Sequence, residues 1–449
     1  MQLTLTSKVR LYPTAEQARQ FEQVTAEYQR VCNLVSQWEF EKQFKVNQKI
    51  FQKELYHQIR AESSLNSLMV QSTYRTVEAR YRTVKQQLFQ HPYCFQDKNT
   101  GKWYRFNRDL GWLRKPIKFR RPQADYVRNL NYSFVKQGTL ISINVLGQRI
   151  KVKFNDQYTQ DWFTHDAKLG TAKLVQSSGH WFLHIPVTME VADWKKSTNQ
   201  HIVGIDRGLR QIMTIYDEHG RTKFFNGKRL AYQRHKYAYL RQKLQATGTK
   251  SAKRHLKRLG QRENRWINDV NHCLSKTLVD YYGSNTLFVI ENLQDVTFER
   301  KRADKSATHD LHSWSFFDLA NKLIYKAHEQ GAEVLTVSAA YTSQRCPRCG
   351  QIRKANRDHD LHQYHCSYCG FTTNDDRIAA MNLYDLGKQY LGGDEQPKFE
   401  LTNVNDWYVV NRGRCQPPKR SHCTKKHVSA LLLLSRKVRE LQARYFSAG

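Results

Sequence analysis

The chain opens on an alternation. Leu3, Leu5, Ser7, Val9 and Leu11 occupy every second position of LTLTSKVRLYP, the period of a half-buried strand, and Pro13 ends it. The period then changes. Thr14 and Gln17 have capping-box spacing, and Phe21, Val24, Tyr28, Val31 and Val35 recur at three- and four-residue steps. These predict an amphipathic helix, with further helical sequence to about residue 90. From about 112 the texture shifts again, and the basic, proline-broken stretch RKPIKFRRP (114–122) reads as extended. Ile141, Ile143, Val145 and Ile150, Val152, Phe154 alternate on either side of Gly147-Gln148, and KLVQSSGHWFLHI (173–185) reads as a second hairpin. With the opening strand, these segments suit a small antiparallel barrel around a helical insert.

A polar linker, DWKKSTNQ, leads into a second region near residue 200. HIVGIDRGLRQIMTIYD gives two apolar strands joined through Gly208, followed by a basic helical stretch over 229–264. LFVIE, within NTLFVIENL, is a strand of the fully buried kind. A helix follows in which Phe316, Leu319, Leu323 and Ala327 share a face and Gly331 suits the C-terminal cap. AEVLTVS then supplies another strand, so this is a βαβ unit in a partly parallel sheet. A basic tail beyond 391 ends in an amphipathic helix carrying Val428, Leu431, Leu432, Val438 and Leu441.

Composition narrows the class. A chain of 449 residues, 39% hydrophobic and 12% aromatic, has room for two or three folded domains. Its 73 Lys and Arg against 40 Asp and Glu leave a formal net charge of +33. An excess that large repels itself unless a polyanion neutralises it, and nucleic acid is the expected polyanion. No run reaches membrane-spanning length, and the opening residues lack the apolar core of a signal peptide. Nine cysteines, an odd number with four committed to pairs, point to a reducing compartment and metal binding rather than to disulfides.

Those pairs are Cys346-x2-Cys349 and Cys366-x2-Cys369, separated by sixteen residues and each followed by glycine (Gly350, Gly370). The spacing predicts a four-thiolate structural zinc site, closed to substrate. His359, His362 and His365 lie in the intervening loop and read as exposed residues, with ligation the lesser alternative.

Three acids stand where phosphodiester chemistry needs them. Asp206 ends an apolar strand just before a glycine, Glu291 ends LFVIE, and Asp376 opens the helix after the second cysteine pair. An RNase H-like fold gathers its acids in this order from a first strand, a later strand and a helix. Such carboxylates hold two Mg²⁺ ions, one activating water and one stabilising the leaving oxygen. Taken singly, Asp206 also reads as a turn residue, Glu291 as a solvated strand end, and Asp375 or Asp376 as a helix cap.

GIDRG, VIENL, TSQRCPRCG…CSYCG and DDRIAAMNL, with KVRLYPTAEQ near the start, resemble the TnpB family of transposon-associated nucleases, kin to compact type V CRISPR nucleases. The resemblance covers most of residues 1–390 and is most specific over 202–385. It implies an α/β multidomain protein: a wedge β-barrel over 1–12 and 112–192, a helical recognition insert over 13–111, and an RNase H-like (RuvC) nuclease over 200–341 and 371–390. A zinc ribbon over 342–370 is inserted in the nuclease, and a basic tail occupies 391–449.

The activity implied is RNA-guided DNA cleavage at one Mg²⁺-dependent RuvC site, with guide RNA and target double-stranded DNA as partners and no membrane. A prokaryotic cytoplasmic location and a monomer are expected. Asp206, Glu291 and Asp376 match the family's three acids, and Asp375 is displaced by one position. Two departures stand out: Arg207 replaces an apolar residue, and Ile378 replaces the asparagine of Asp-x-Asn-Ala-Ala. Arg114, Lys115, Lys118, Arg120, Arg121, Arg254, Lys257 and Arg258 are candidate nucleic-acid contacts, each also readable as a solvated charge. The alternatives are a compact type V CRISPR effector, a non-cleaving RNA-guided repressor, and an RNase H-fold transposase or resolvase that acts without RNA.

Overall fold

The architecture below is that of a computed structural model, which describes residues 1–96, 101–135, 139–155, 167–197, 200–208, 210–259, 262–293, 316–358 and 360–400. The expected C-terminal helix and His359 lie outside them. Two compact units divide the chain, Gln2–Glu190 and the stretch from Val191 onward. Among the described residues no helix is long and apolar enough to cross a membrane.

The first unit starts with strand β1 (Gln2–Tyr12) and helix α1 (Ala15–Glu41). Both bonds of the capping box are made, Gln17 N–H to Thr14 Oγ1 and Thr14 N–H to Gln17 Oε1. The predicted stripe Phe21, Val24, Tyr28, Val31 and Val35 is fully buried. Helix α2 (Gln48–Phe51) runs through a π-helical turn into α3 (His57–Glu62), and α4 (Ser67–Gln90) packs on α1, with Tyr28 hydrogen-bonded to Ser72 at 2.9 Å.

The insert is not helical throughout. A two-stranded hairpin, β2 (Tyr93–Gln96) and β3 (Trp103–Phe106), follows α4. Its strands are four residues long with every residue exposed, so no buried periodicity marks them in the sequence.

Strands β4 (Gln123–Tyr126), β5 (Tyr132–Val135), β6 (Leu140–Val145), β7 (Gln148–Phe154), β8 (Lys168–Leu169), β9 (Ala172–Ser177) and β10 (His180–Glu190) complete an eight-stranded antiparallel sheet with β1. Its order is β4-β9-β10-β1-β7-β6-β5, with β8 on β10, and among the described residues no ladder joins the two ends, so the barrel-like sheet is near-closed. The β6–β7 turn centres on Leu146-Gly147, both at positive φ (46° and 94°), one residue earlier than the sequence places it. Paired positive φ values match the right-handed twist of the strands.

The second unit is built on a five-stranded sheet. Its strands β11 (His201–Asp206), β12 (Gln211–Asp217) and β13 (Thr222–Asn226) are antiparallel. Helices α5 (Lys228–Thr247), α6 (Lys250–Leu259) and α7 (Arg262–Tyr282) lead to β14 (Thr286–Asn292), parallel to β11. Helix α8 (Phe316–Glu329) and β15 (Glu333–Ser338) follow, β15 parallel to β14, giving the order β13-β12-β11-β14-β15.

A small sheet of β16 (Arg357–Asp358), β17 (Gln363–His365) and β18 (Thr372–Asn374) runs directly into helix α9 (Asp375–Leu391). The five-stranded sheet has a core on each face. Val203, Ile205, Phe288 and Ile290 pack with residues of α7 and α8, while Ile202, Leu287 and Val289 pack with Leu383 and Leu386 of α9.

Candidate functional site

Strand periodicity aims the first two acids. On β11, Ile202 and Gly204 face α9, so Asp206, two residues on, faces it too; on β14, Leu287, Val289 and Glu291 do the same. The parallel register pairs Ile205 with Ile290, so Asp206 and Glu291 come next to each other at the strands' carboxyl ends. Helix α9 starts above that edge. Asn374 is its cap, its side chain accepting from the Asp376 and Arg377 N–H groups, which leaves neither aspartate the capping role.

Asp206 feels both of the other carboxylates. Burial, then the charges of Glu291 and Asp376, holds the Asp206 carboxyl well above the usual carboxylate range. Burial likewise raises Glu291 and Asp376. Asp375 adjoins this cluster, and its charge is the next cause after burial of the rise in Asp376. Asp375 is 2% exposed, bonded to Arg357 at 3.2 Å, with His362 Nδ1 at 3.7 Å.

Asp376 lies 3.8 Å from Arg357, and its Oδ2 is a buried acceptor with no hydrogen-bond partner. A buried, unpartnered carboxylate oxygen among raised acids is where a cation fits. Asp206, Glu291 and Asp376 could offer oxygen donors to a hard divalent ion, while among the described residues only the four cysteines stand close enough together to form a ready ligand cluster.

Four supporting residues escaped the sequence reading of the site's chemistry. Arg207, 8% exposed, donates to the Phe316 carbonyl at 2.9 Å and to the Glu291 carbonyl, tying β14 to the start of α8 beside the acids. Its replacement of an apolar residue was the visible signal. Thr342 donates its hydroxyl to Glu291 Oε1 at 2.5 Å. Asn382 donates to the Thr342 and Arg345 carbonyls, both at 2.7 Å, and Arg357 reaches the aspartates from β16. Thr342 and Asn382 sit inside TSQRC and AAMN, but only the folded contacts assign them work.

The four cysteines converge. Their sulfurs all lie within 4.8 Å of one another, with Cys346 and Cys369 at 3.6 Å and Cys349 and Cys366 at 3.5 Å. A disulfide needs about 2.05 Å, whereas a tetrahedral ion with bonds of about 2.3 Å spaces its sulfurs by about 3.8 Å. The donor set thus fits a four-coordinate thiophilic metal. The two knuckles are alike: Cys346 and Cys366 N–H donate to the Gln351 and Phe371 carbonyls, and Gly350 and Gly370, at φ 79° and 69°, close each turn. His365 bonds Thr372 instead, and neither it nor His362 joins the sulfur cluster.

All eight candidate nucleic-acid residues are exposed. Arg254, Lys257 and Arg258 stand on α6, whose Ala252 and Leu259 face inward. In the first unit the extended strap is fixed through its alternate residues: the Phe119 carbonyl accepts from Gln29 and Asn33, and the Ile117 carbonyl from Ser36. That leaves Lys118 and Arg120 outward, lining an open groove with Arg30.

The fold and site together define a mixed α/β protein in which carboxylates cluster at the edge of a half-parallel sheet, next to a tetrathiolate knuckle. Two family models match it: OrfB_IS605, described as a probable transposase, over residues 184–296, and the Cas12f1-like TNB domain over 316–383. The chain is 29% identical over 215 residues to the CRISPR-associated endodeoxyribonuclease Cas12f1 of Sulfoacidibacillus thermotolerans, covering 45% of this chain and 49% of that one. It is 28% identical over 244 residues to the putative RNA-guided DNA endonuclease InsQ of Escherichia coli K12, covering 49% and 57%.

A Cas12f1–sgRNA–target DNA complex aligns at TM-score 0.45 and 13% identity, covering 85% of this chain and 99% of that one. The chain spans about half the length of the curated relatives it matches. Over those stretches it is similar to TnpB-like proteins and to Cas12f1.

Proposed function

We propose that this chain is an RNA-guided DNA endonuclease of the TnpB type, cutting target DNA at a single RuvC-like, RNase H-fold site. The observation that carries the chemistry is the convergence of Asp206, Glu291 and Asp376 with an unpartnered Asp376 oxygen. The sheet order supports the fold assignment, and the relatives' names support the guided class. In this reading the three carboxylates hold Mg²⁺, which when bound supplies an activated water and stabilises the leaving oxygen.

The chain's own residues build that place. Thr342 fixes one oxygen of Glu291, and Arg207 fixes its backbone. Asn374 takes over the helix cap, so Asp376 is free for a ligand. The thiolate metal is read as structural zinc, held by Cys346, Cys349, Cys366 and Cys369, because a closed tetrahedral set leaves no position for substrate. Exposed arginines and lysines over both units suit the backbone contacts of an RNA–DNA heteroduplex, where base pairing rather than protein reads sequence. The protein then acts on DNA in the cytoplasm of a prokaryotic host.

The test is the Asp206→Ala protein expressed with its native flanking DNA. A discrete co-purifying RNA with a constant scaffold is expected, together with wild-type RNA binding and no Mg²⁺-dependent cleavage. An RNA whose variable end runs into the element's border assigns the transposon type, and a repeat-derived scaffold assigns the CRISPR type. Cleavage without any bound RNA would overturn guidance, and undiminished cleavage by the variant would overturn the site.

A further inference from the structure

Hairpin β2–β3 carries a row of aromatic rings on one face. The register opposes Tyr93 to Phe106 and Phe95 to Tyr104, so these four side chains share a face, while Cys94, Gln96, Trp103 and Arg105 take the other. Phe95 lies 5.5 Å from Tyr104 at an interplanar angle of 23°, and 5.8 Å from Phe106 at 4°. Trp112 extends the row, 5.6 Å from Tyr93. Cross-strand ring pairs help hold a short hairpin together. They do not explain why the outer side stays bare: these five residues are 38–49% exposed. A contiguous exposed aromatic patch of this kind marks an interaction surface.

The surroundings select the partner. From 101 to 122 the chain carries Lys102, Arg105, Arg108, Arg114, Lys115, Lys118, Arg120 and Arg121 against a single acid, Asp109. A flat aromatic deck in so basic a stretch of chain matches stacked bases on a phosphate backbone; an apolar protein partner would need no such charge. We propose that this hairpin is a stacking platform for unpaired RNA bases. RNA is preferred to DNA because bare aromatic surface is costly in water, which favours a partner that stays bound. Under the function proposed above, on which this inference rests, that partner is the resident RNA rather than a transient DNA strand. Aromatics on a sheet face stacking two or three unpaired bases are an established mode of RNA recognition.

The test compares the full-length wild type with the double variant Phe95→Ala/Tyr104→Ala and the conservative variant Phe95→Trp. The probe is an unstructured oligouridine bearing 4-thiouridine, with an oligodeoxythymidine of equal length alongside. Crosslinks to peptides spanning 93–112 are expected for the RNA. The double variant should bind it about tenfold more weakly or worse, and Phe95→Trp should bind as wild type. Circular dichroism of the variants checks that these exposed changes leave the fold in place.

RNA bound at wild-type strength by the double variant, with no hairpin crosslink, overturns the platform and leaves the guided-nuclease reading standing. Hairpin crosslinks to the DNA alone also overturn it, as does a concentration-dependent dimer that the double variant abolishes while RNA binding persists. A wild type that binds no RNA at all fails the guided reading itself.

Discussion

Arg207 sets the state of the acid edge at the scale of one residue. Its fork satisfies two carbonyls and places a cation beside Asp206 and Glu291. Lysine keeps the charge but not the fork. Arg207→Lys should therefore lose about 1–3 kcal/mol of stability through an unsatisfied buried carbonyl, read as a lower melting temperature. Arg207→Met removes the charge as well, so Mg²⁺ should raise its melting temperature more than it raises that of wild type. An equal rise would show that the guanidinium does not balance the carboxylates.

Glu39 offers a test away from the site. It is 4% exposed, one oxygen has no hydrogen-bond partner, and burial followed by the Glu78 charge pushes its carboxyl from 4.5 up to about 7. An acid raised in the folded state favours folding fully below its unfolded pKa, and that stability is lost as pH rises through the folded one. The loss amounts to roughly 3 kcal/mol at most. Glu39→Gln should raise the melting temperature at about pH 8 and gain much less at about pH 5; equal gains at both would remove Glu39 as the cause.

At the scale of elements, the acid site exists because α9 lies unusually close to β11. A Cβ on Gly204 would stand 2.1 Å from the Ala380 carbonyl oxygen and 2.7 Å from the Tyr384 nitrogen. On Gly387 it would meet Ile202 Cγ2 at 2.7 Å and Val289 Cγ2 at 2.8 Å. Two glycines, one on each element, thus let the helix carry Asp376 to the strand ends. Gly204→Ala should push the helix away, costing about 1–3 kcal/mol or more in the denaturation midpoint and lowering cleavage with it. An unchanged midpoint would mean the contact is looser than the geometry requires.

Legibility differs among the elements for a physical reason. Helix α1 was readable from its cap and its 3.6-residue stripe because both are local and both are realised. The β2–β3 hairpin was not, since nothing in it is buried and aromatic residues on both faces erase the alternation. Among the barrel strands β1, β6, β7, β9 and β10 were legible, whereas β4, β5 and β8, only two to four residues long, are too short to show a period.

At the scale of the molecule, the thiolate knuckle and the acid edge form one connected structure within the second unit. Thr342, four residues before Cys346, bonds Glu291; Asn382 of α9 bonds the Thr342 and Arg345 carbonyls; Arg357 of β16 reaches Asp375 and Asp376. Loss of the knuckle's metal should therefore reach the acids. Cys349→Ser is expected to bind no zinc by mass spectrometry, to melt earlier, and to cleave at least about tenfold more slowly, as removing a positioned catalytic group does, while still binding RNA. Intact cleavage by a zinc-free protein would reduce the knuckle to a bystander.

The sequence by itself determined what local chemistry encodes. Period, cap and turn residues gave the main helices and the longer strands, the Cys-x2-Cys pairs gave the four-thiolate cluster, and the charge of +33 pointed to a polyanionic partner. The three acids were legible because each ends or opens an element. Only the tertiary structure decided that Asp206 and Glu291 end neighbouring strands, that Asn374 rather than an aspartate caps α9, and that Arg357 stands 3.2 Å from Asp375 but 3.8 Å from Asp376, each aspartate keeping one buried oxygen without a hydrogen-bond partner. It alone decided the roles of Arg207, Thr342 and Asn382. The physical reason is range: periodicity and capping act within a few residues, whereas the contact from Arg207 to Glu291 crosses 84 positions and that from Thr342 to Glu291 crosses 51. Such contacts exist only once the sheet register and the close seat of α9 have brought those positions together.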